Sequence, residues 1–325
     1  MAGFAPSDVV SRFLGWYNTG VLYFYRKTDG QIPEVVSDLG SDVWIVAENP
    51  TPQELDSLAA QLPLERDLLQ DATDPNEVPR IQDEEGVVYV FVRLPEGQAE
   101  QTVTVPALLA IGPTFLLTLW GTRPAFIASY LEGKVAYNTG YRSQMLLRLW
   151  GSVCNAYQGA ITGMQKQIRA RLADLVHIAN KDIVSLVRYE GILNDFLAGL
   201  VPMTTELGKV VGGKHIKTYE EDKDLYEDVL LQSGQLVESA KALLKTTGNY
   251  REAYSVIINN NLNRVVKFLT AATVILTLPM TVYSFYGMNV KLPVDGHPMA
   301  WAFIFVGTTA LSVVIIALFI RNRWL

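Results

Sequence analysis

Five hydroxyl side chains, Thr270, Thr273, Thr277, Thr281 and Ser284, recur at spacings of 3, 4, 4 and 3. On an α-helix those spacings set all five on one side. Carried backward by the same intervals, the stripe reaches Val266 and Asn263, and just beyond its other end stand Gly287, Met288 and Asn289. A single Thr on an apolar helix can satisfy itself on its own i−4 carbonyl. Five in a row make a face of neutral oxygens turned toward water or toward other helices rather than toward lipid. Packing between helices also favours small and hydroxylic residues, so the stripe alone leaves both readings open.

The elements that must carry these groups are two long uncharged segments, Phe268 to Val290 and Met299 to Ile320. A bilayer core of about 30 Å takes roughly 20 apolar residues of helix, so each can cross it. Only Lys291 to Pro298 lies between them, which predicts a hairpin. Arg264 and Lys267 precede the first span and Arg321 and Arg323 follow the second, while the loop sets Lys291 against Asp295 and carries His297. That distribution predicts a multi-pass protein of the inner (plasma) membrane with both termini cytoplasmic and the loop outside. Two spans cannot enclose a pore, so a conducting path requires several copies, each offering its stripe to a common axis. The second span, rich in Val, Ile, Leu, Phe and Ala, would face lipid, with Gly307, Thr308 and Thr309 against the first.

The 325 residues carry a net charge of −6, which argues against nucleic acid as a partner. Cys154 is the single cysteine. No intrachain disulfide can form, and the bulk of the chain is expected in a reducing compartment. The opening MAGFAPSDVV has neither the basic nor the apolar region of a signal peptide.

Upstream, aromatic and β-branched runs at Gly20 to Tyr25, Val43 to Ala47, Val87 to Val92 and Phe115 to Leu119 read as strands. Thr51-Pro52-Gln53-Glu54 reads as a capping box with proline at the first helical position, opening an amphipathic stretch through Leu69. From about Tyr141 the apolar residues switch to helical spacing: Met145, Leu149, Val153 and Tyr157, then Ile168, Leu172 and Leu175. Gly208 to Gly213 breaks that region, and Thr218-Tyr219-Glu220-Glu221 supplies a second capping box. With no proline before Pro279, one helix is expected to run from Tyr219 to Tyr286, from a cytoplasmic stalk straight into the membrane. The expected organisation is an α/β domain over 1–140 and a helical region over 141–262. A first span over 263–289, an outer loop over 290–298, a second span over 299–320 and a basic tail over 321–325 complete it.

The strings Asn263-Arg264-Val265-Val266-Lys267-Phe268-Leu269-Thr270, Leu278-Pro279-Met280-Thr281 and Tyr286-Gly287-Met288-Asn289 resemble the CorA family of magnesium channels. Arg323-Trp324-Leu325 is similar to that family's basic C-terminal end, and Leu69-Gln70-Asp71 with Pro79-Arg80 resembles it more weakly. The resemblance implies a funnel-shaped homopentamer whose first spans line the pore and whose Gly287-Met288-Asn289 turn forms the outer mouth. Mg²⁺ releases its waters reluctantly, and a ring of Asn289 amide oxygens with Gly287 carbonyls can bond to those waters instead of replacing them. Helix capping is the ordinary use of such an Asn. Deeper in, Thr277, Thr273 and Thr270 would solvate the hydrated ion. Val266 and Leu269 would form apolar rings able to close by dewetting, and Asn263 a second amide ring.

The resemblance also implies regulatory Mg²⁺ bound between neighbouring cytoplasmic domains by Asp71 and Asp228. Gln70 stands where a further acid is expected, and the outer loop lacks the acids usual after the motif. The function so implied is divalent-cation uptake, Mg²⁺ foremost and Co²⁺ or Ni²⁺ after it, with lipid and other copies of the chain as partners. It is not enzymatic and needs no catalytic cofactor. A Zn²⁺ transporter of the same superfamily, or a non-conducting membrane-tethered sensor, is the alternative. Gly208 to Lys214 mimics a phosphate-binding loop, but His215 stands where Ser or Thr is needed and no strand precedes it. His177, His215 and His297 lie too far apart in sequence for a zinc site.

Overall fold

Two apolar runs lack the alternation of a half-exposed strand, and they lie at the centre of a sheet. β3 (Val43–Glu48) and β7 (Phe115–Trp120) pair in parallel, with Val43 opposite Phe115. Both are buried on each face, as continuous apolar strands should be. The computed structural model describes residues 21–37, 39–171, 180–210, 222–288, 293 and 296–322. Its remaining strands are β1 (Val21–Arg26), β2 (Glu34–Val35), β4 (Arg80–Glu84), β5 (Val87–Glu96) and β6 (Val103–Ile111). They complete a seven-stranded sheet of order β2-β1-β3-β7-β6-β5-β4, antiparallel except at β3–β7.

β6 escapes a reading of sequence runs because Pro106 sits inside it. Its pairing with β7 covers only Ala107 to Ile111, so the missing N–H falls where β7 has already ended. The amphipathic stretch expected from Pro52 through Leu69 is two helices, α1 (Pro52–Gln61) and α2 (Arg66–Asp71). Pro63 is the reason: the residue before a proline is pushed out of the helical region, and Leu62 is extended, with φ −127° and ψ 155°. The capping box is formed as expected, Thr51 accepting from the Glu54 N–H while the Glu54 carboxylate accepts from the Thr51 N–H.

α1 and α2 cover one face of the sheet, burying Leu55, Leu58, Leu68 and Leu69 against Ile45, Tyr89, Phe91, Leu108 and Leu117. Opposite them lie α3 (Phe126–Leu131), α4 (Arg142–Arg171) and α5 (Asn180–Val210). On that side Trp44 meets the rings of Tyr130 and Tyr137 at 6.1 and 5.7 Å, and its Nε1 donates to Thr118 Oγ1 at 3.1 Å. Met145, Leu149, Val153, Tyr157 and Ile168 of α4 are all buried, as their spacing predicts. Gly208 does not break α5, which runs on to Val210. One mid-helix glycine costs about 1 kcal/mol, too little to stop a packed helix.

α6 (Lys223–Tyr286) is 64 residues long, a rise of about 100 Å. Its first half buries Tyr226, Val229, Ser233, Leu236, Ala240, Leu243 and Thr247. Gln232 Nε2 donates to Asn155 Oδ1 of α4 at 2.7 Å, and Tyr226 Oη to the Leu207 carbonyl of α5 at 2.8 Å. The chain divides into two compact units at Asn249 and Tyr250. The second unit holds the rest of α6 and α7 (Ala300–Arg321). Several expectations lie outside the described residues: Gly20, Leu172, Leu175, His177, Val211 to Glu221, Asn289, most of the outer loop, and Arg323 to Leu325.

Candidate functional site

Within the second unit, α6 and α7 are both long and apolar enough to cross a membrane. Their contact is local and specific. Ala271 of α6 and Thr308 of α7 are buried, and Tyr283 Oη lies 3.0 Å from Thr308 Oγ1. A methyl side chain at 271 lets the helices approach, as small residues do in membrane bundles. Of Gly307, Thr308 and Thr309, expected against the first span, Thr308 makes that contact, whereas Gly307 and Thr309 are exposed.

The hydroxyl stripe occupies another side of α6. Asn263, Val266, Thr270, Thr273, Thr277, Thr281 and Ser284 are all exposed in the single chain. At 100° per residue, their midline stands about 120° from the side that carries Ala271, Leu278 and Val282. Leu269 is also exposed, but it lies about 80° off the midline, whereas Val266 lies close to it. The hydroxyls of Thr270, Thr273 and Thr281 donate to the carbonyls of Val266, Leu269 and Thr277 at 2.9, 2.8 and 2.9 Å. Each of these hydroxyl protons is thus returned to the helix's own backbone.

At the end of the stripe the Gly287 N–H donates to the carbonyls of Tyr283 and Ser284 at 3.0 and 3.2 Å, and Met288 N–H to Phe285 at 3.3 Å. Gly287 is not in the left-handed region, and an added Cβ would stand 3.4 Å from the Ser284 oxygen, an ordinary contact. The chain's own turn therefore does not require glycine at 287. Met288 is exposed, and Asn289 lies outside the described residues.

In the first unit, Asp71 and Asp228 are on opposite sides of the sheet. Asp71 ends α2, on the α1–α2 face. Asp228 is exposed on α6, bordering a groove of about 340 Å³ with Arg148, Gly151, Ser152 and Asn155 of α4. A single chain does not bring the two carboxylates together, and among the described residues no three His, Cys, Asp or Glu side chains gather closely enough to hold a metal ion. Asp71 has a different partner. Arg80 Nη2 donates to its Oδ2 at 2.8 Å, and Arg80 also pairs with Glu77. The loop between them is pinned by Arg93, whose guanidinium donates to the carbonyls of Pro75 and Glu77 at 2.9 and 2.7 Å. Sequence reading does not single out this partnership. Its one signal is a basic residue nine places after an acid across a turn-rich stretch.

Other groups fall away. Gly208 and Lys209 are helical, in the last turns of α5, which no phosphate-binding loop would be. His297 accepts from the Met299 N–H at 3.2 Å through Nδ1, at the start of α7. Burial pushes the Cys154 thiol up to about 12, so it is an inert core group rather than a nucleophile.

A family model described as CorA-like Mg²⁺ transporter protein matches residues 41–321. This chain belongs to that family. The cobalt/magnesium transport protein CorA of Methanocaldococcus jannaschii is 20 % identical over 314 residues, covering 87 % of this chain and 91 % of that protein. The complete structure of the same organism's CorA magnesium transporter superposes with a TM-score of 0.81 at 18 % identity, over 95 % of this chain and all of that one. Full-length CmaX gives 0.71 at 19 % identity, over 96 % of this chain and all of that one. The ZntB cytoplasmic domain of Vibrio parahaemolyticus gives 0.57 at 10 % identity, over 73 % of this chain and 98 % of that one. At such identities the structures establish the CorA architecture: an α/β domain, a long helix and a C-terminal apolar helix.

Proposed function

We propose that this chain is the subunit of a homopentameric channel that carries Mg²⁺, with Co²⁺ and Ni²⁺ as lesser ions, into the cytoplasm. The observation that carries this reading is the stripe from Asn263 to Ser284, exposed on α6 and turned away from α7. Copies related by a common axis would bring five such stripes face to face, leaving α7 to lipid. A hydrated Mg²⁺ would enter through the Asn289 amides and the Gly287 carbonyls, pass the Thr hydroxyls, and meet its apolar constriction at Val266. Leu269 stands to one side of that path and fits contact between neighbouring α6 helices better. A negative-inside potential drives the ion by about 2.3 kcal/mol per charge per 100 mV, twice over for a divalent.

In the same reading, both termini are cytoplasmic and the domain boundaries follow the six segments set out above. Cytoplasmic Mg²⁺ joins Asp71 of one copy to Asp228 of the next. Two carboxylates on opposite sides of one chain's sheet can meet only between copies, and hard oxygens suit the ion. Bound there, Mg²⁺ would favour the closed ring and supply feedback.

Asn289→Ala should abolish Mg²⁺ flux into liposomes while the purified oligomer keeps its size; unchanged flux would remove Asn289 from the filter. Zn²⁺ transport is the second reading, favoured by an outer loop with Asp295 as its one acid. Competition between Mg²⁺ and Zn²⁺ in the same assay decides between them. Absence of any divalent flux would instead favour a non-conducting sensor.

A further inference from the structure

The carboxylate of Asp71 is 44 % exposed, but it is not free. Arg80, the first residue of β4, donates to it at 2.8 Å through Nη2. Through Nη1 the same guanidinium pairs with Glu77, whose side chain is 10 % exposed. Its Cζ lies 4.2 Å from the centre of the Phe91 ring, directly across the β4–β5 ladder. Two carboxylates and an aromatic face thus hold one cation at the end of α2. Gln70, the neighbour of Asp71, is neutral and accepts from Arg66 at 3.2 Å, so Asp71 is the one anionic group in the last turn of that helix.

We propose that Arg80 is a tethered competitor for the Asp71 carboxylate. Mg²⁺ arriving between copies must displace a guanidinium that the chain itself supplies, and this sets the Mg²⁺ concentration at which feedback closure begins. The proposal rests on the reading of Asp71 as a regulatory ligand. Two physical effects act in the same direction. An oxygen lone pair given to an N–H is withheld from a metal, and a full positive charge at hydrogen-bond distance repels a divalent ion. Because the pair is partly exposed, the competition is modest. An ion pair of this kind shifts a competing equilibrium by roughly two- to fivefold, and loss of the repulsion adds to that.

Glu77 sets the strength of the competition. While it shares the guanidinium, Arg80 is held less firmly on Asp71. Removing the Glu77 charge leaves Arg80 with Asp71 alone and should make the ion harder to bind. Removing the Arg80 charge should make it easier. A residue that merely stapled β4 to α2 would give the same sign for both changes, because each would loosen the same loop.

Calorimetric titration of Mg²⁺ into the full-length protein in detergent tests this, with Asp71→Asn identifying the heat that belongs to the site. Arg80→Gln should tighten binding roughly three- to tenfold and Glu77→Gln should weaken it roughly two- to fivefold. Inhibition of liposome flux by Mg²⁺ on the cytoplasmic side should move in parallel. If both variants weaken binding, Arg80 is structural and the proposal fails. If Asp71→Asn removes the site but Arg80→Gln leaves it unchanged, Asp71 is a ligand and the competition is absent. If Asp71→Asn leaves the titration intact, the ligand reading itself falls and this inference with it. Should Arg80→Gln fail to fold, Arg80→Lys loses the fork that spans two carboxylates. It should still tighten binding, and no change would overturn the proposal.

Discussion

The two compact units of this chain treat apolar and polar side chains in opposite ways. In the first, Trp44, Trp120, Trp150, Tyr157 and Phe196 are all fully buried, and the polar Thr118 at its centre is bonded to Trp44 and to the Ile45 carbonyl. In the second, Leu276, Met280, Phe285, Trp301 and Phe303 are exposed, and among its described residues only Tyr254, Ala271 and Thr308 are buried. The first unit completes its core from its own sequence. The second leaves large apolar side chains exposed, a surface that in the proposed channel would be covered by lipid and by further copies. Stability should therefore be lost by truncation in the first unit, and transport by truncation in the second.

The largest effect separating the units is expected at Trp44. Trp44→Ala removes a fully buried indole together with its hydrogen bond to Thr118, and should cost about 3–5 kcal/mol of the first unit's stability, read as a lower denaturation midpoint. A loss below 1 kcal/mol would mean that this core is not what holds the unit together. A smaller effect is expected at the hydrogen bond between Tyr283 and Thr308 in the second unit. Thr308→Val keeps the shape and deletes the hydrogen bond to Tyr283, which should lower the oligomer's thermal stability by about 0.6–1 kcal/mol. The smallest change in stability should come from the exposed stripe. Thr277→Val should stay within about 0.5 kcal/mol of the parent yet reduce Mg²⁺ flux several-fold. A variant that melts early but conducts normally would invert the comparison and make the stripe a packing surface.

What could be read in advance follows the same division. The stripe is a property of one helix, and helical spacing alone finds Thr270, Thr273, Thr277, Thr281 and Ser284. The capping box at Thr51 is equally local. The central strands show because β3 and β7 are apolar throughout. β6 is hidden because Pro106 is tolerable only where β7 has ended, a fact of register rather than composition. Pro63 was visible in the sequence, but the amphipathic pattern on both sides of it reads through the break. The pairing of Asp71 with Arg80 depends on how Arg93 folds the intervening loop, and the separation of Asp71 from Asp228 depends on which face of the sheet each helix covers. Neither can be counted along a chain.

The backward hydrogen bonds of Thr270, Thr273 and Thr281 have a consequence for the sign of charge. Each of these three hydroxyls gives its single proton to its own helix, so toward any neighbour it can only accept. Water around a cation points its hydrogens outward, whereas water around an anion points its oxygens outward. A wall built this way can receive the first shell and has nothing to offer the second. In the proposed pore it would favour a hydrated cation over an anion without carrying any charge of its own.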